Sequence, residues 1–460
     1  MISDKNKKSR KKKIKENNNK INNLKIENKI KKNNKVNNLK IENKKVKKTK
    51  SKKEVHDKDN KKEVSLNKNN DTLFLYEFYS WVSPYKQILL NIVSNNKNKN
   101  NRNIENLNEI FFNIYKKVDE NKEIRKSYME INLDKYEDLT KTIAALRSGL
   151  TYYVRNTTKI DHISNAYIKI WEILRVFNFK WKKRNEFNAF HFTELPGGFI
   201  NCLTDMSKKL NKKYDWKAQS LHPDLGGFGN SYNIMKKYPG RHDFGPLSTG
   251  DIIDTTNIQY YYDKNMVYKP ILVTSDAGAK GENIDYFLLQ KLEIAQAFNV
   301  ISSVDIGGDV IVKHFTPYLS SEKISNKGFT TFIDMLYYYY LNFKTVYCYK
   351  PMASNETSGE FYVIGLNKLK ITDQVEIDRL KNIISNHKVN ERLFDNKIEI
   401  NFILQIYNLL YNMNNYNEKT INTINKIFKM DDKDIEFIKN NMNNFNKQKY
   451  KAWMNEFWIY

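Results

Sequence analysis

Four charged side chains stand in segments whose other residues are mostly apolar. Lys169 lies in SNAYIKIWEIL, Asp276 ends ILVTSD, Lys313 ends DVIVK and Glu360 opens EFYVIGL. Burying an unpaired ion costs several kcal/mol, so charges at the ends of buried strands mark a site rather than a core. A lysine becomes a general base when desolvation or a second cation lowers its pKa, and carboxylates can hold it in place. Such a base can take the proton from a hydroxyl, which is a poor nucleophile until that proton leaves. His314 follows Lys313 directly. Consecutive strand residues face opposite sides, so it is read as a satisfied structural histidine and not as a second base.

An α/β framework is needed to bring these residues together, and the texture of the chain from about residue 160 supplies one. The helix AYIKIWEILRVF precedes the candidate strand NAFHFTE, and ILVTSD, DVIVKHF, FKTVYCYK and EFYVIGL read as later strands. The segment IDYFLLQKLEIAQAFNVISS reads as a helix between ILVTSD and DVIVKHF. Strands alternating with helices predict a mostly parallel, doubly wound sheet, with the last two strands as an antiparallel edge. YYYY at 337–340 is read as part of a packed helix. In HFTELPGGFINCL, Pro196, Gly197 and Gly198 fall where a strand hands over to a helix. Glycine there permits a positive φ and a close approach of backbone to a ligand at the strand's carboxyl end.

These segments carry a resemblance. The order Lys169, Asp276, Lys313, Glu360 is similar to the catalytic tetrad of FtsJ-type RNA ribose 2′-O-methyltransferases. H-x-x-E-x-P-G-G-F, from His191 to Phe199, resembles the S-adenosylmethionine motif of that family, and most closely its cap-methylating, Adrift-type branch. Trp216, Leu221 and Pro223 in DWKAQSLHPD match a second segment of the branch, and Phe244 to Ile252 in FGPLSTGDI match a third. The likeness covers roughly 160–366. Leu195 departs from it, standing where a small residue is commoner.

The resemblance implies a Rossmann-like methyltransferase fold with S-adenosylmethionine as cofactor and RNA, near the 5′ cap of mRNA, as substrate. It places Lys313 as general base, Asp276 beside it and near the reacting methyl, Lys169 against the target nucleotide, and Glu360 as the residue that holds a lysine. Glu194, Pro196, Gly197, Gly198 and Phe199 would lie along the cofactor, and Asp251 near its adenine, where a carboxylate accepts from an exocyclic amine. A ribosomal or transfer RNA 2′-O-methyltransferase and a non-catalytic RNA-binding capping subunit are the competing expectations.

The rest of the chain bounds this picture. The 460 residues carry a net charge of +26, and residues 1–70 hold 26 Lys/Arg against 8 Asp/Glu, leaving +8 for the remainder. That segment repeats NNLKIENK at 22–29 and 37–44 and is expected to be a disordered basic tail able to attract polyanions. Helical extensions are expected over 71–158 and 371–460, the latter docking on a methyltransferase domain at 159–370. With Cys202 and Cys348 alone and no CxxC, neither a disulfide framework nor a zinc site is expected. No long apolar run is present, so a soluble intracellular or virion protein is expected, with RNA and capping-complex proteins as partners and neither metal nor membrane. The Lys/Asn/Ile/Tyr bias points to an AT-rich source such as a large DNA virus or a protist.

Overall fold

The structure is a computed structural model that describes residues 87–93, 116, 120, 123–143, 146–278, 286–317, 329–355, 357–388, 391–395 and 398–458. The Lys/Asn tail at 1–70 with its repeat lies outside these residues. Among the described residues the strands are β1 (Gln87–Val93), β2 (Glu186–Phe192), β3 (Lys213–Gln219), β4 (His242–Asp243), β5 (Leu272–Ser275), β6 (Asp309–Phe315), β7 (Phe343–Lys350) and β8 (Glu360–Lys368). They form one sheet in the order β1-β7-β8-β6-β5-β2-β3-β4. The run β6-β5-β2-β3-β4 is parallel, while β8, β7 and β1 are antiparallel to their neighbours.

Chain order along the sheet reverses between β2 and β5, because β3 and β4 extend one way and β5 and β6 the other. Beyond the carboxyl ends of those strands an open sheet leaves its binding crevice. Three strands were not anticipated as such, the two-residue β4 among them. β3 reads KYDWKAQ, whose mixed charges hide a strand near the sheet's edge. β1 lies within 71–158, so that extension contributes an outer strand on β7 as well as helices. Its described helices include α1 (Leu133–Ile143) and α2 (Leu146–Thr158).

Helices cover both faces. On one face α3 (Asn165–Val176) and α4 (Gly198–Lys209) pack with α2 in a core containing Ile168, Leu174, Leu203, Ile311 and Tyr362. A short α5 (Ile234–Lys237) sits near β3. On the other face lie α6 (Thr255–Tyr268), α7 (Tyr286–Ser303), α8 (Thr330–Asn342) and α9 (Gln374–Asn386). The tyrosine run belongs to α8, with Tyr337 to Tyr340 all buried, as packing required. The C-terminal helices α10 (Ile400–Phe428) and α11 (Asp432–Trp453) dock as anticipated: Phe402 and Ile406 join the second core, and Trp453 joins the first.

α3 is the element this docking controls. Ser164 caps it by accepting from Tyr167 N, and every residue from Tyr167 to Leu174 is buried. A helix so enclosed must satisfy each polar group it carries. Glu172 does so through Tyr349 Oη at 2.5 Å, Met352 N at 2.9 Å and Trp453 Nε1 at 2.8 Å. Burial still raises its pKa to about 7 against those three bonds. Trp171 donates to Phe457 O at 2.9 Å and stacks on Trp458 with ring centroids 4.3 Å apart. The C-terminal segment therefore fixes the helix that carries Lys169. Trp453→Ala should lower the unfolding free energy by about 3–5 kcal/mol, the usual cost of emptying a core indole site. Urea denaturation of the variant beside the wild-type chain measures it.

Candidate active site

β5 is buried along its length and β6 from Asp309 to Val312, so Asp276, just past β5, and Lys313, near the end of β6, emerge together where the sheet ends. Ser275 pairs with Val312, which sets Asp276 beside Lys313. Lys313 Nζ lies 3.0 Å from Asp276 Oδ1 and donates to Asp276 O at 2.9 Å. Across β6, Lys313 pairs with Tyr362 and Phe315 with Glu360, bringing the start of β8 to the same end. From the helix side, Lys169 Nζ reaches Glu360 Oε1 at 2.5 Å. The four residues selected from the sequence thus meet in one crevice as two ion pairs.

The electrostatics are those of a charge chain and not of two facing lysines. Burial opposes ionisation of Glu360, but Lys169, Lys313 and hydrogen bonds from Lys169 and Ser354 outweigh it and hold the carboxyl at about 2. Burial likewise lowers Lys313, yet Asp276 and Glu360 prevail and leave its pKa above the ordinary lysine value. The expectation of a lowered lysine is corrected here. Carboxylates separate the cations, so attraction exceeds desolvation and Lys313 is an ammonium in this state.

The turn after β2 is built as its glycines suggested. Gly197 has a φ of 110° and caps α4, where a Cβ would also strike Ile234. A Cβ on Gly198 would come within 3.0 Å of Ala166, so its absence lets α4 press against α3. Pro196 follows Leu195 through a cis peptide bond. Glu194 Oε1 accepts from Phe199 N at 2.8 Å and Ile200 N at 3.0 Å, closing the first turn of α4. Its Oε2 is buried without a partner among the described residues. Burial pushes the carboxyl well up, against the bond from Ile200 N and with Asp276 adding to the rise. The Phe199 ring is buried near Tyr362, behind the turn and in its packing.

Asp251 sits in a second loop at the same end. Its Oδ1 accepts from Ile253 N at 2.9 Å, a turn-forming bond, and Oδ2 takes none from the described residues. Asn257 donates to Asp251 O at 2.9 Å and to Thr249 Oγ1 at 3.0 Å, holding that loop to α6. His191 and His314 are structural. His191 bridges Thr274 and Tyr214, and burial lowers it to about 3. His314 is enclosed between Glu293 and Tyr339.

This geometry agrees with the relatives of the sequence. Residues 162–368 match the family model of FtsJ-like methyltransferases. An uncharacterized protein of Acanthamoeba polyphaga mimivirus is 25% identical over 66% of this chain and 39% of its own length. A probable methyltransferase of African swine fever virus is 27% identical over 55% of this chain and 61% of its own. The chain therefore spans less than two thirds of either relative. Among solved structures, human methyltransferase-like protein 13 with SAH is 11% identical over 51% of this chain and 97% of that one, at a TM-score of 0.29.

The FtsJ-like family uses S-adenosylmethionine, and the crevice suits it. The cofactor is a cation with an amino-acid end. Glu194, with an orphaned oxygen, and Asp276 stand electrostatically coupled at the turn, and the glycines remove side chains from it. Among the described residues no group of three His, Cys, Asp or Glu could hold a metal ion, and no helix is long and apolar enough to cross a membrane.

Several residues of the FtsJ-like domain's crevice escaped the sequence reading. Tyr362 Oη donates to Asp276 Oδ1 at 3.2 Å, and period two from Glu360 along β8 could have found it. Ser354 Oγ donates to Glu360 Oε1 at 2.5 Å, and Lys350 Nζ to Glu360 O at 2.9 Å. Gln296, buried on α7, accepts from Ser275 Oγ at 2.7 Å and Ala277 N at 2.8 Å and donates to Lys313 O at 2.6 Å. Thr193, at a φ of 53°, is an outlier for a β-branched residue, and its Oγ1 accepts from Asp276 N at 3.1 Å. No spacing in the sequence signals Gln296 or Thr193.

The Glu360 pair sets a pH window. Its folded pKa, about 2, lies below the ordinary 4.5, so the unfolded chain binds the extra proton on acidification. This contribution to stability is complete above 4.5 and fades as pH falls through about 2. Thermal melting of wild type and Glu360→Gln between pH 5 and pH 2 should show a steeper fall for the wild type, because the variant lacks this group.

Proposed function

We propose that the chain is an S-adenosylmethionine-dependent RNA 2′-O-methyltransferase acting near the 5′ cap of mRNA, with Lys169, Asp276, Lys313 and Glu360 as its working tetrad. The observation that carries the reading is the meeting of these four side chains, by way of one buried and one half-buried ion pair, at the carboxyl ends of β5 and β6. The viral relatives and the Lys/Asn/Ile/Tyr-rich composition support a viral source.

Each residue has a definite task on this reading. Lys313 Nζ takes the proton from the ribose 2′-hydroxyl once it has shed its own. Asp276, tied to Tyr362 and Thr193, keeps that amine pointed into the crevice. Lys169, held by Glu360, presents positive charge to the target nucleotide. When bound, S-adenosylmethionine supplies the methyl group and a sulfonium charge that disfavours a second cation close by. Glu194, Asp276 and the Gly197–Gly198 backbone would hold its amino-acid end, and Asp251 Oδ2 its adenine.

The charge state of Lys313 makes the rate pH-dependent with a known sign. Its pKa is raised, so the free amine is scarce at neutral pH and the single-turnover rate should climb as pH rises above 7. Labelled S-adenosylmethionine and capped RNA should give an alkali-resistant dinucleotide. Lys313→Ala should abolish that product, by at least about a hundredfold, while S-adenosylhomocysteine still binds by calorimetry. Wild-type chain that modifies ribosomal RNA fragments and leaves capped RNA untouched would move the substrate assignment. Absence of the dinucleotide with every RNA would overturn the reading.

A further inference from the structure

Beyond the tetrad the structure contains a second concavity that none of the roles above uses. β6 continues past Lys313 to Phe315, and Phe315 with Pro317 just beyond the strand faces Glu293 and Ile294 of α7 and Phe332 and Met335 of α8 across a small open cleft. Phe315 stands between this cleft and the crevice, its ring 5.9 Å from Lys313 Nζ. The walls are mostly apolar, and among the described residues Glu293 is the one ionic side chain on them.

Glu293 is held in a definite pose. One oxygen, Oε2, is paired with Nδ1 of fully buried His314, whose Nε2 is in turn 2.9 Å from Tyr339 Oη. The other oxygen, Oε1, accepts from none of the described residues, and the side chain keeps 14% of its exposure. A positioned acceptor at the rim of an apolar slot selects a flat group with N–H donors on its edge. An ionised carboxylate accepts hydrogen bonds and donates none. Phe315 and Phe332 line the cleft with aromatic rings, against which such a group can pack.

We propose that this cleft receives a nucleobase of the RNA, from the nucleotide next to the one whose ribose faces Lys313, and that Glu293 selects guanine there. Guanine presents two adjacent N–H donors on its Watson–Crick edge, whereas the matching position of adenine is an acceptor that a carboxylate repels. The inference rests on the RNA reading above and adds to it a specificity-determining residue.

The test uses the full chain saturated with S-adenosylhomocysteine. Fluorescence anisotropy would follow binding of labelled uridine oligonucleotides carrying a single guanosine moved along the strand, with inosine and adenosine as replacements. At one position guanosine should bind about fivefold or more tighter than adenosine, in line with the loss of one matched base contact, with inosine between them. Glu293→Gln should erase that preference. Leu289→Trp, which fills the cleft from α7 without touching the His314 pair, should reduce the guanosine oligonucleotide to the affinity of plain uridine and leave S-adenosylhomocysteine binding unchanged. The second variant decides the matter even where the first fails to fold. RNA bound equally whatever its bases, or a guanosine preference that survives in Leu289→Trp, overturns the cleft assignment alone. No binding of any RNA overturns the RNA reading and this inference with it.

Discussion

The structure is organised around a buried alternation of charge, in which Lys169, Glu360, Lys313 and Asp276 neutralise one another in a crevice that admits little water. Each ion alone would be too costly to bury, and breaking one pair leaves its partner stranded. The set is tolerable only as a set. Ser354 donates to the Glu360 carboxylate and Tyr362 to that of Asp276, partly satisfying their lone pairs, while Lys350 and Thr193 brace the backbone of the same two residues.

Holding four side chains from separate segments to hydrogen-bond accuracy is a task for the whole fold. The β5–β6 and β6–β8 registers fix three of them, since a slip by one residue would turn each to the opposite face. Gln296 bolts α7 to both strand ends, making the helix part of the site's frame. The fourth residue, Lys169, depends on α3. That helix is gripped by α4 through Gly198, by β7 through Tyr349 and by the C-terminal segment through Trp453 and Phe457. The last residues of the described chain are thus coupled to a charge near its middle.

What was legible in the sequence follows from this division. Lys313 and Asp276 stood out because strands exclude charge until they end, and Pro196–Gly197–Gly198 stood out because a tight strand-to-helix turn needs a residue free to adopt a φ of 110°. The parallel centre and the tyrosine-rich helix followed from apolar runs. β3 did not, because its alternating lysine and aspartate resemble a loop, and β1 did not, because its strand is completed only by pairing with distant β7. Gln296 and Thr193 were invisible for a related reason. Their roles are defined by partners brought near in space, with no local period to report them.

The same distinction explains the one electrostatic expectation that reversed. Sequence gives the sign of each charge but not their order in space, and two lysines in one site suggested mutual repulsion and a lowered pKa. Interleaving the carboxylates changes the sign of the effect. As two cations and two anions the set is neutral, and Lys313 keeps its proton because removing it would leave a net negative crevice. A cationic ligand placed among the four shifts the balance by one positive charge, and loss of the Lys313 proton restores neutrality. The carboxylates therefore act as more than braces. They hold Lys313 in its protonated form, and a positive charge placed among the four would favour its release, so the proton is linked to occupancy of the crevice.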